Sequence, residues 1–497
     1  MEKKLTELLA LLPAAETDGD KNKIIKAVVY DSREVASGTL FICLPGSKVD
    51  GHQFIRQAYE AGAVAVLVEK PVEAPEGLTV IRVDSTRQAM QAIVPFFFDY
   101  PARKLRMIGV TGTNGKTTTT YLIRSILKQA GFRVGIIGTI QTLIEDEALP
   151  VRNTTPDVVE LQTVLAQMVN ADMDYVIMEV SSHALALNRV AGCEFDVGVF
   201  TNITRDHLDF HITFENYIDA KAELFRRLSE TDGEKKNKAA VINIDDAAGA
   251  VMLKNTSCRA ITYAVRQPAD IEAREIDVQA AGACFNVACN LGEFALKLKI
   301  TGVFNVYNVL GAIGAALAEG IDIQLIKQSL ESFTHVPGRF ELVDEGQDFS
   351  VIVDYAHTPD GLENILRTAK QFAKRRIITV FGCGGDRDRT KRPMMGKIAA
   401  KLSDVVIATS DNPRSEDPEF ILSEIEAGIK QELSDKKKYE KIVDRRQAIT
   451  RAITLAENGD IVIIAGKGHE TYQILKNQTI SFDDRQIARQ ILGGLVE

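Results

Sequence analysis

The clearest chemistry in the chain lies in ten residues, Gly109-Val110-Thr111-Gly112-Thr113-Asn114-Gly115-Lys116-Thr117-Thr118. Glycines let backbone N–H groups turn toward phosphate oxygens. Lys116 adds a positive charge, and Thr117 offers a hydroxyl to Mg2+. The segment follows an apolar run (105–112) and opens a helical pattern, TTTTYLIRSILKQAG. Leu122, Ile123, Ile126 and Leu127 supply that helix's apolar face, and Gly131 suits its C-terminal end. The helix N-terminus contributes its own partial positive charge. The match to Gly-x-x-x-x-Gly-Lys-Ser/Thr is incomplete, because Val110 stands where the first glycine is expected, between Gly109 and Gly112. A plain glycine turn between strand and helix is the alternative. Gly-Lys-Thr-Thr in this context points instead to nucleotide phosphate binding.

Other reactive side chains follow at strand ends. Glu179 closes the apolar run DYVIMEVSS, and an acid beside a phosphate loop suits Mg2+. His207 and His211 follow the next run, in TNITRDHLDFH. A lone histidine is more often structural, but His207 leaves the same sheet and can reach the same region. Lys221 sits on the following helical pattern, ENYIDAKAELFRRL; taken alone, it reads as a surface lysine.

The elements that must position these groups are legible as apolar runs. Five near-continuous runs, 105–112, 133–139, 174–182, 195–203 and 239–245, alternate with helical patterns and predict a parallel sheet covered on both faces. Residues 270–300 alternate like antiparallel strands that extend this sheet at an edge. Before it, AVVYDSR, GTLFICLPG, AVAVLVEK and LTVIRV make a small α/β domain, with Tyr100–Lys104 as linker. After it, a third unit starts near His335 and carries the runs 349–357, 375–385, 404–411 and 460–468. Each ends in polar or glycine residues, and ligands of open α/β sheets sit at the carboxyl ends of strands. We therefore expect an α/β protein of three domains, 1–102, 103–335 and 336–497.

Composition excludes several classes. With 497 residues, 45% hydrophobic and 26% charged, the chain reads as ordinary globular protein of about three domains. A net charge of −9 argues against non-specific nucleic-acid binding. Leu5, Leu8, Leu9 and Leu12 mark a short amphipathic helix, too short to span a membrane, and no cleavage site follows. The expected location is the cytoplasm. The six cysteines form no C-x-x-C pair and read as reduced structural thiols. The lysine-rich stretch 231–238 reads as an exposed loop.

Taken together, Gly112–Thr118, EVSSH (179–183), TNITRDHLDFH (201–211), Lys221, GVFNVYN (302–308), PGRFE (337–341) and VDYAHTPD (353–360) resemble the Mur ligase family, in the family's order and over nearly the whole chain. The resemblance implies a first domain for a UDP-linked substrate, a central ATP-binding P-loop domain with a mostly parallel sheet, and a C-terminal Rossmann-like domain for an incoming amino acid. It implies ATP binding by Gly112, Thr113, Asn114, Gly115, Lys116, Thr117 and Thr118, with Asn305 against adenine. It implies Mg2+ held by Thr117, Glu179, His207 and a carbamylated Lys221, and catalysis by Lys116, Lys221, His207 and Glu179. For a UDP-muramoyl dipeptide it points to Tyr30, Ser32, Ser47, Lys48, Val49, Asn153, Thr154, Thr155, Ser181 and Arg189. Leu187 stands where some relatives carry Gln.

The resemblance also implies an amino-acid site. The loop Asp411-Asn412-Pro413-Arg414 separates users of meso-diaminopimelate from users of L-lysine in the resembled enzymes. The physics agrees: diaminopimelate carries a second carboxylate at its far end, which Arg414 can hold by paired charge-assisted bonds, whereas lysine presents only an ammonium. Arg387, Gly466 and Glu470 match further contacts, with Glu470 suited to the far ammonium. The implied reaction passes through an acyl-phosphate and needs no enzyme nucleophile. Asp354 and His357 are expected near the ATP phosphates or ribose. The expected partners are small molecules (ATP, the UDP-muramoyl dipeptide and meso-diaminopimelate), with no nucleic acid and no membrane, and a monomer. The alternatives are an L-lysine ligase, a folylpolyglutamate synthase, which needs neither the YDSR domain nor the DNPR loop, and a P-loop module without ligase chemistry.

Overall fold

The structure is a computed structural model that describes residues 1–46, 49–149, 153–230, 235–279, 281–434 and 437–496. Its backbone is organised by three sheets, one in each of three domains. The first has five strands in the order Glu16–Asp18, Thr79–Arg82, Ala63–Val68, Thr39–Ile42, Ala27–Val29, parallel except for the first pairing.

The central sheet has 11 strands. Val134–Ile137, Tyr175–Glu179, Arg106–Thr111, Val197–Phe200, Ala239–Asn243, Arg259–Ala264 and Ile271–Gln279 lie side by side and parallel. At one edge Gly282–Cys289 and Gly292–Leu298 continue the sheet antiparallel, as the alternation over 270–300 predicts. Side-chain alternation sends Ile108, Val110 and Ile177 to one face and Met107, Val176 and Met178 to the other. Helices cover both faces. Leu122, Ile123, Ile126 and Leu127 of the helix Lys116–Gln129 are fully buried on the first, with Val306 and Val309 of Val303–Ala318. Leu161 and Leu165 of Val158–Asn170 and Leu224 and Phe225 of Phe214–Leu228 seal the second. Burial on both faces is why these strands read as apolar runs.

The third sheet runs Glu341–Val343, Ser350–Asp354, Ile461–Ala465, Ile377–Phe381, Val405–Ala408, Lys438–Lys441. All pairings but the first are parallel. The last strand in the chain order of the apolar runs, Ile461–Ala465, sits between the first and second, so the loops after Asp354, Phe381, Ala408 and Ala465 open at the same end of the sheet. Four edge strands escape a reading from apolar runs: Glu16–Asp18, Glu147–Leu149, Glu341–Val343 and Lys438–Lys441. Each is short, and the first and last are polar. They are strands because a neighbour offers a ladder, not because of their own pattern.

The amphipathic N-terminal pattern is a helix over Leu5–Leu9, with Leu5 and Leu8 buried. All six cysteines are free. Among the described residues no helix is long and apolar enough to cross a membrane. Of the lysine-rich stretch, 231–234 lies outside the described residues.

Candidate active site

The helix Lys116–Gln129 begins at Gly115 with no side-chain cap on its first N–H groups. Nearby helices are capped by the hydroxyls of Thr213, Ser181 and Thr358. The first N–H groups of the helix and the positive end of its dipole are therefore left for an anion, while the Thr113 and Asn114 N–H groups donate to the Asn202 carbonyl (2.8 Å) and Asn202 Oδ1 (3.0 Å). Gly115 takes φ +86°, and a Cβ there would collide with the Asn308 amide. At Gly112 a Cβ would strike the Thr201 hydroxyl. The two glycines let the loop close against its neighbours.

Lys116 Nζ donates to the carbonyls of Gly112 (2.9 Å) and Thr113 (2.8 Å). Lys221, 1% exposed, donates to the same Gly112 carbonyl at 2.7 Å and lies 4.6 Å above the Tyr217 ring. It is not a surface lysine. Burial lowers both ammonium groups below the usual lysine range, and the Lys116 charge helps push Lys221 far down. Both effects favour the neutral amine of Lys221 over its ammonium.

Glu179 is likewise buried. Its Oε1 accepts from the Thr139 N–H (2.8 Å) and its Oε2 from the hydroxyls of Thr139 and Thr117 (3.0 Å each). Arg339, from the third domain, reaches across 222 residues of sequence to donate to Thr117 Oγ1 at 3.2 Å. Its guanidinium also lies 4.6 Å over the Tyr355 ring. Among the described residues no cluster of three or more His, Cys, Asp or Glu side chains could hold a metal by itself. Mg2+ does not require one: it keeps water ligands and binds through one or two carboxylates together with substrate phosphates. Thr117 and Glu179, hydrogen-bonded to each other beside the phosphate loop, fit that demand. His207 adopts φ +54°, with its ring 4.7 Å from His183 and 6.2 Å from Tyr217. Desolvation holds its pKa below the ordinary value, so the ring is neutral at neutral pH. His211 turns away, with Nε2 3.0 Å from Ser182 Oγ.

Several of these groups, though not Lys221 or His211, border a cavity of about 480 Å3 between the central and third domains. Thr113–Thr118, Glu179 and His207 line one side; Arg339, Asp354, Tyr355 and His357 line the other. Asp354 accepts from the N–H groups of Phe340 (2.6 Å) and Ala356 (2.7 Å), which fixes the interdomain segment carrying Arg339. Asp360, at the start of the helix Pro359–Phe372, accepts from the Asn114 amide (2.7 Å) and Thr204 (3.0 Å) and ties the third domain to the phosphate loop. Asn305 lies one layer back, its amide donating to the Thr301 carbonyl (2.8 Å) and accepting from Asn308 (3.0 Å). Asn308, one turn on, lines the cavity itself. Sequence reasoning assigned no role to Arg339, Tyr355, Asn308 or Asp360. All four lie inside the segments 302–308, 337–341 and 353–360 that carry the family resemblance, which was the signal available for them.

The residues expected to hold a UDP-linked substrate fall in two places. Thr155 accepts from the Ser181 N–H (3.0 Å) and donates to the Glu179 carbonyl (2.8 Å), while Arg189 donates to the Thr155 carbonyl (3.4 Å). Thr154 lies beside Thr139, 3.1 Å between hydroxyls. This group adjoins the phosphate site, and Asn153 leads into it. Tyr30, Ser32 and Val49 belong to the first domain, where Tyr30 reaches Glu160 of the central domain at 3.4 Å. Ser47 and Lys48 lie outside the described residues. At Leu187 the carbonyl accepts from Gln91 (2.9 Å).

The three loops expected to hold the amino acid converge at the carboxyl end of the third sheet. Arg414, at φ +52°, donates to the Gly385 carbonyl (2.8 Å) and makes no ion pair among the described residues. Asn412 donates to Glu470 (2.9 Å) and its carbonyl accepts from the Gly385 N–H (2.9 Å). A Cβ at Gly466 would crowd the Asp411 carboxylate. Pro413 is buried, and Arg387 is exposed, lining a groove with Asp209 of the central domain. Tyr355 links this site to the first: it borders the phosphate cavity and packs 4.7 Å from the His469 ring.

The descriptions of known families follow the same division. A Mur ligase family catalytic domain matches residues 24–97, a Mur ligase middle domain 110–316, and a Mur ligase glutamate ligase domain 338–468. The chain belongs to the Mur ligase family. UDP-N-acetylmuramoyl-L-alanyl-D-glutamate–2,6-diaminopimelate ligase of Geobacillus thermodenitrificans is 48% identical over 486 residues, 98% of either chain. The ligase of the same name from Syntrophomonas wolfei is 47% identical over 494 residues, 99% of this chain and all of that one. A solved ligase structure of that name superposes with a TM-score of 0.70 at 35% identity, over 100% of both chains. MurF from Acinetobacter baumannii shares this Mur ligase's fold at 20% identity, with a TM-score of 0.66 over 94% of this chain and 95% of that one.

Proposed function

We propose that this Mur ligase joins meso-2,6-diaminopimelate to UDP-N-acetylmuramoyl-L-alanyl-D-glutamate at the expense of ATP, in cytoplasmic synthesis of peptidoglycan precursors. The observation that carries the reading is a pair of unmet charges: Lys116 bonds only to carbonyls beside an uncapped helix, and Arg414 bonds only to carbonyls in the amino-acid loops. The first suits phosphates; the second suits a carboxylate. Residues 1–102 would bind the UDP moiety, 103–335 ATP, and 336–497 the amino acid.

In this reading the D-glutamyl carboxylate oxygen attacks the γ-phosphorus of ATP and ADP leaves. The amine of diaminopimelate then attacks the acyl carbon, loses a proton, and phosphate departs as the amide forms. Lys116 and the loop N–H groups hold the phosphoryl oxygens where charge develops. Arg339 orients the Thr117 hydroxyl and adds charge to the same wall. Mg2+, held by Thr117 and Glu179 and by His207 with carbamylated Lys221, would supply charge neutralisation at the phosphates. Thr155, Ser181 and Arg189 aim the carboxylate, and Asp360 holds the third domain closed over the loop, which aligns the amine and excludes water. Labelled bicarbonate incorporated at Lys221, and lost in Lys221→Met, tests the carbamate.

The experiment is phosphate release from Mg-ATP and the UDP-muramoyl dipeptide with meso-diaminopimelate or with L-lysine. Turnover dependent on both dipeptide and diaminopimelate is expected. Preference for lysine would overturn the role of Arg414. Turnover with neither would return the chain to the folate-type or non-catalytic alternatives.

A further inference from the structure

Lys467 has no task in this scheme, yet it is fully buried, at 0% exposure, in the loop after Ile461–Ala465. Its Nζ donates to Glu470 Oε2 at 3.0 Å and to Asn412 Oδ1 at 3.1 Å. Asn412 Nδ2 donates to the same Glu470 oxygen at 2.9 Å, and Asn412 Oδ1 also accepts from the Ile474 N–H at 2.9 Å. Lys467, Asn412 and Glu470 thus form a closed triangle joining two loops more than 50 residues apart, since Lys467 and Asn412 are separated by 55. The triangle engages one Glu470 oxygen; the other, Oε1, takes no hydrogen bond from the described residues.

Two consequences follow from elementary electrostatics. A buried ammonium must be paired, so Lys467 holds Glu470 and Asn412 in one arrangement. The Lys467 and Glu470 charges also cancel. Of the nearby cations, Arg414 makes no ion pair among the described residues, so its charge stays open to a ligand's extra carboxylate, whereas Arg387 lies in a groove shared with Asp209, Asp386 and Asp388. Without Lys467, Glu470 would stand as an uncompensated anion; it would still attract the far ammonium that both amino acids carry, but it would repel the far carboxylate that only diaminopimelate carries.

We propose that Lys467 is a specificity-positioning residue, which neutralises and aims Glu470 so that the site takes an amino acid with a carboxylate at its far end over one with a bare ammonium. The inference rests on the reading of Arg414, Arg387 and Glu470 as the amino-acid site.

The test is steady-state phosphate release by the full chain as wild type, Lys467→Met, Glu470→Gln and the double variant, varying each substrate in turn. Wild-type turnover with diaminopimelate tests the underlying reading; the variants test Lys467. Lys467→Met is expected to raise KM for diaminopimelate by on the order of 30-fold, with KM for ATP and for the dipeptide unchanged. Its preference for diaminopimelate over lysine should drop about tenfold, and in the Glu470→Gln background the same substitution should shift that preference by less than about twofold. An unchanged preference, an equal rise in all three KM values, or an undiminished effect in the Glu470→Gln background would overturn the proposal. If Lys467→Met does not fold, Lys467→Arg decides: a rise in KM confined to the amino acid supports the role, and no rise or a rise shared by all substrates removes it.

Discussion

Cations at the phosphate loop and cations in the third domain are partnered in opposite ways. Lys116 and Lys221 hydrogen-bond to carbonyl oxygens and to no carboxylate. Arg392, Arg445 and Lys467, all fully buried, each bind an acid: Arg392 reaches Glu416 (2.8 Å) and Glu424 (2.6 Å), Arg445 reaches Asp484 (2.6 Å), and Lys467 reaches Glu470 (3.0 Å). The first arrangement keeps the charge of Lys116 available to an anion that arrives later and leaves Lys221 without a carboxylate to hold it charged. The second uses charge to hold loops: Arg392 fixes Glu416, which accepts from the Asp386 N–H (2.5 Å), and Arg445 also donates to the Ala465 carbonyl (3.0 Å). A cation without an acid is ready for a ligand, and a cation with one is scaffolding.

The sharpest way to break this contrast is to remove one member of each set. Lys116→Ala should lower kcat/KM by on the order of 1000-fold in phosphate release. Its thermal midpoint should not fall, because the lysine satisfies no buried carboxylate. Arg445→Met should do the reverse. It leaves Asp484 buried and unpaired, and stability in urea unfolding should drop by about 3–5 kcal/mol. Similar stability losses in both variants would erase the distinction.

Arg414 belongs with the unpaired cations although it lies in the third domain. Arg414→Lys keeps the charge but loses the fork, so kcat/KM for diaminopimelate should fall on the order of 30-fold, with a smaller change for lysine. Equal changes for the two amino acids would place Arg414 among the scaffolding residues.

The smallest effect concerns His469, between the two sites. Burial, helped by the charges of Arg339 and Arg485, pushes its pKa down to about 3 from 6.5. A base with a depressed folded-state pKa binds fewer protons folded than unfolded between those values. Stability therefore falls as pH drops from about 6.5 toward about 3, and above that window His469 contributes no pH dependence. His469→Gln should flatten the acid side of the thermal midpoint against pH; an unchanged slope would show that His469 is readily protonated in the folded chain.

Much of the architecture was legible because it is local. An apolar run buried on both faces announces a parallel strand, so the strands near Arg106, Val134, Tyr175, Val197 and Ala239 were readable, as were four of the six strands of the third sheet. The polar edge strand Lys438–Lys441 was not, since its pattern carries no burial signal. Within the site, Glu179 and Lys116 were recognisable from strand ends and a contiguous loop. Lys221, by contrast, has the pattern of a surface lysine, and only the family resemblance singled it out.

The sequence by itself determined the phosphate loop, the order of strands and helices, and the residue types at four strand ends, because backbone geometry and hydrophobic period depend on near neighbours. The tertiary structure alone decided that Arg339 meets Thr117, that Asp360 grips Asn114, that Asn308 rather than Asn305 faces the cavity, and which cations find acids. The physical reason is range: a side chain's charge state and readiness for a ligand depend on burial and on partners through space, and here those partners come from distant parts of the chain.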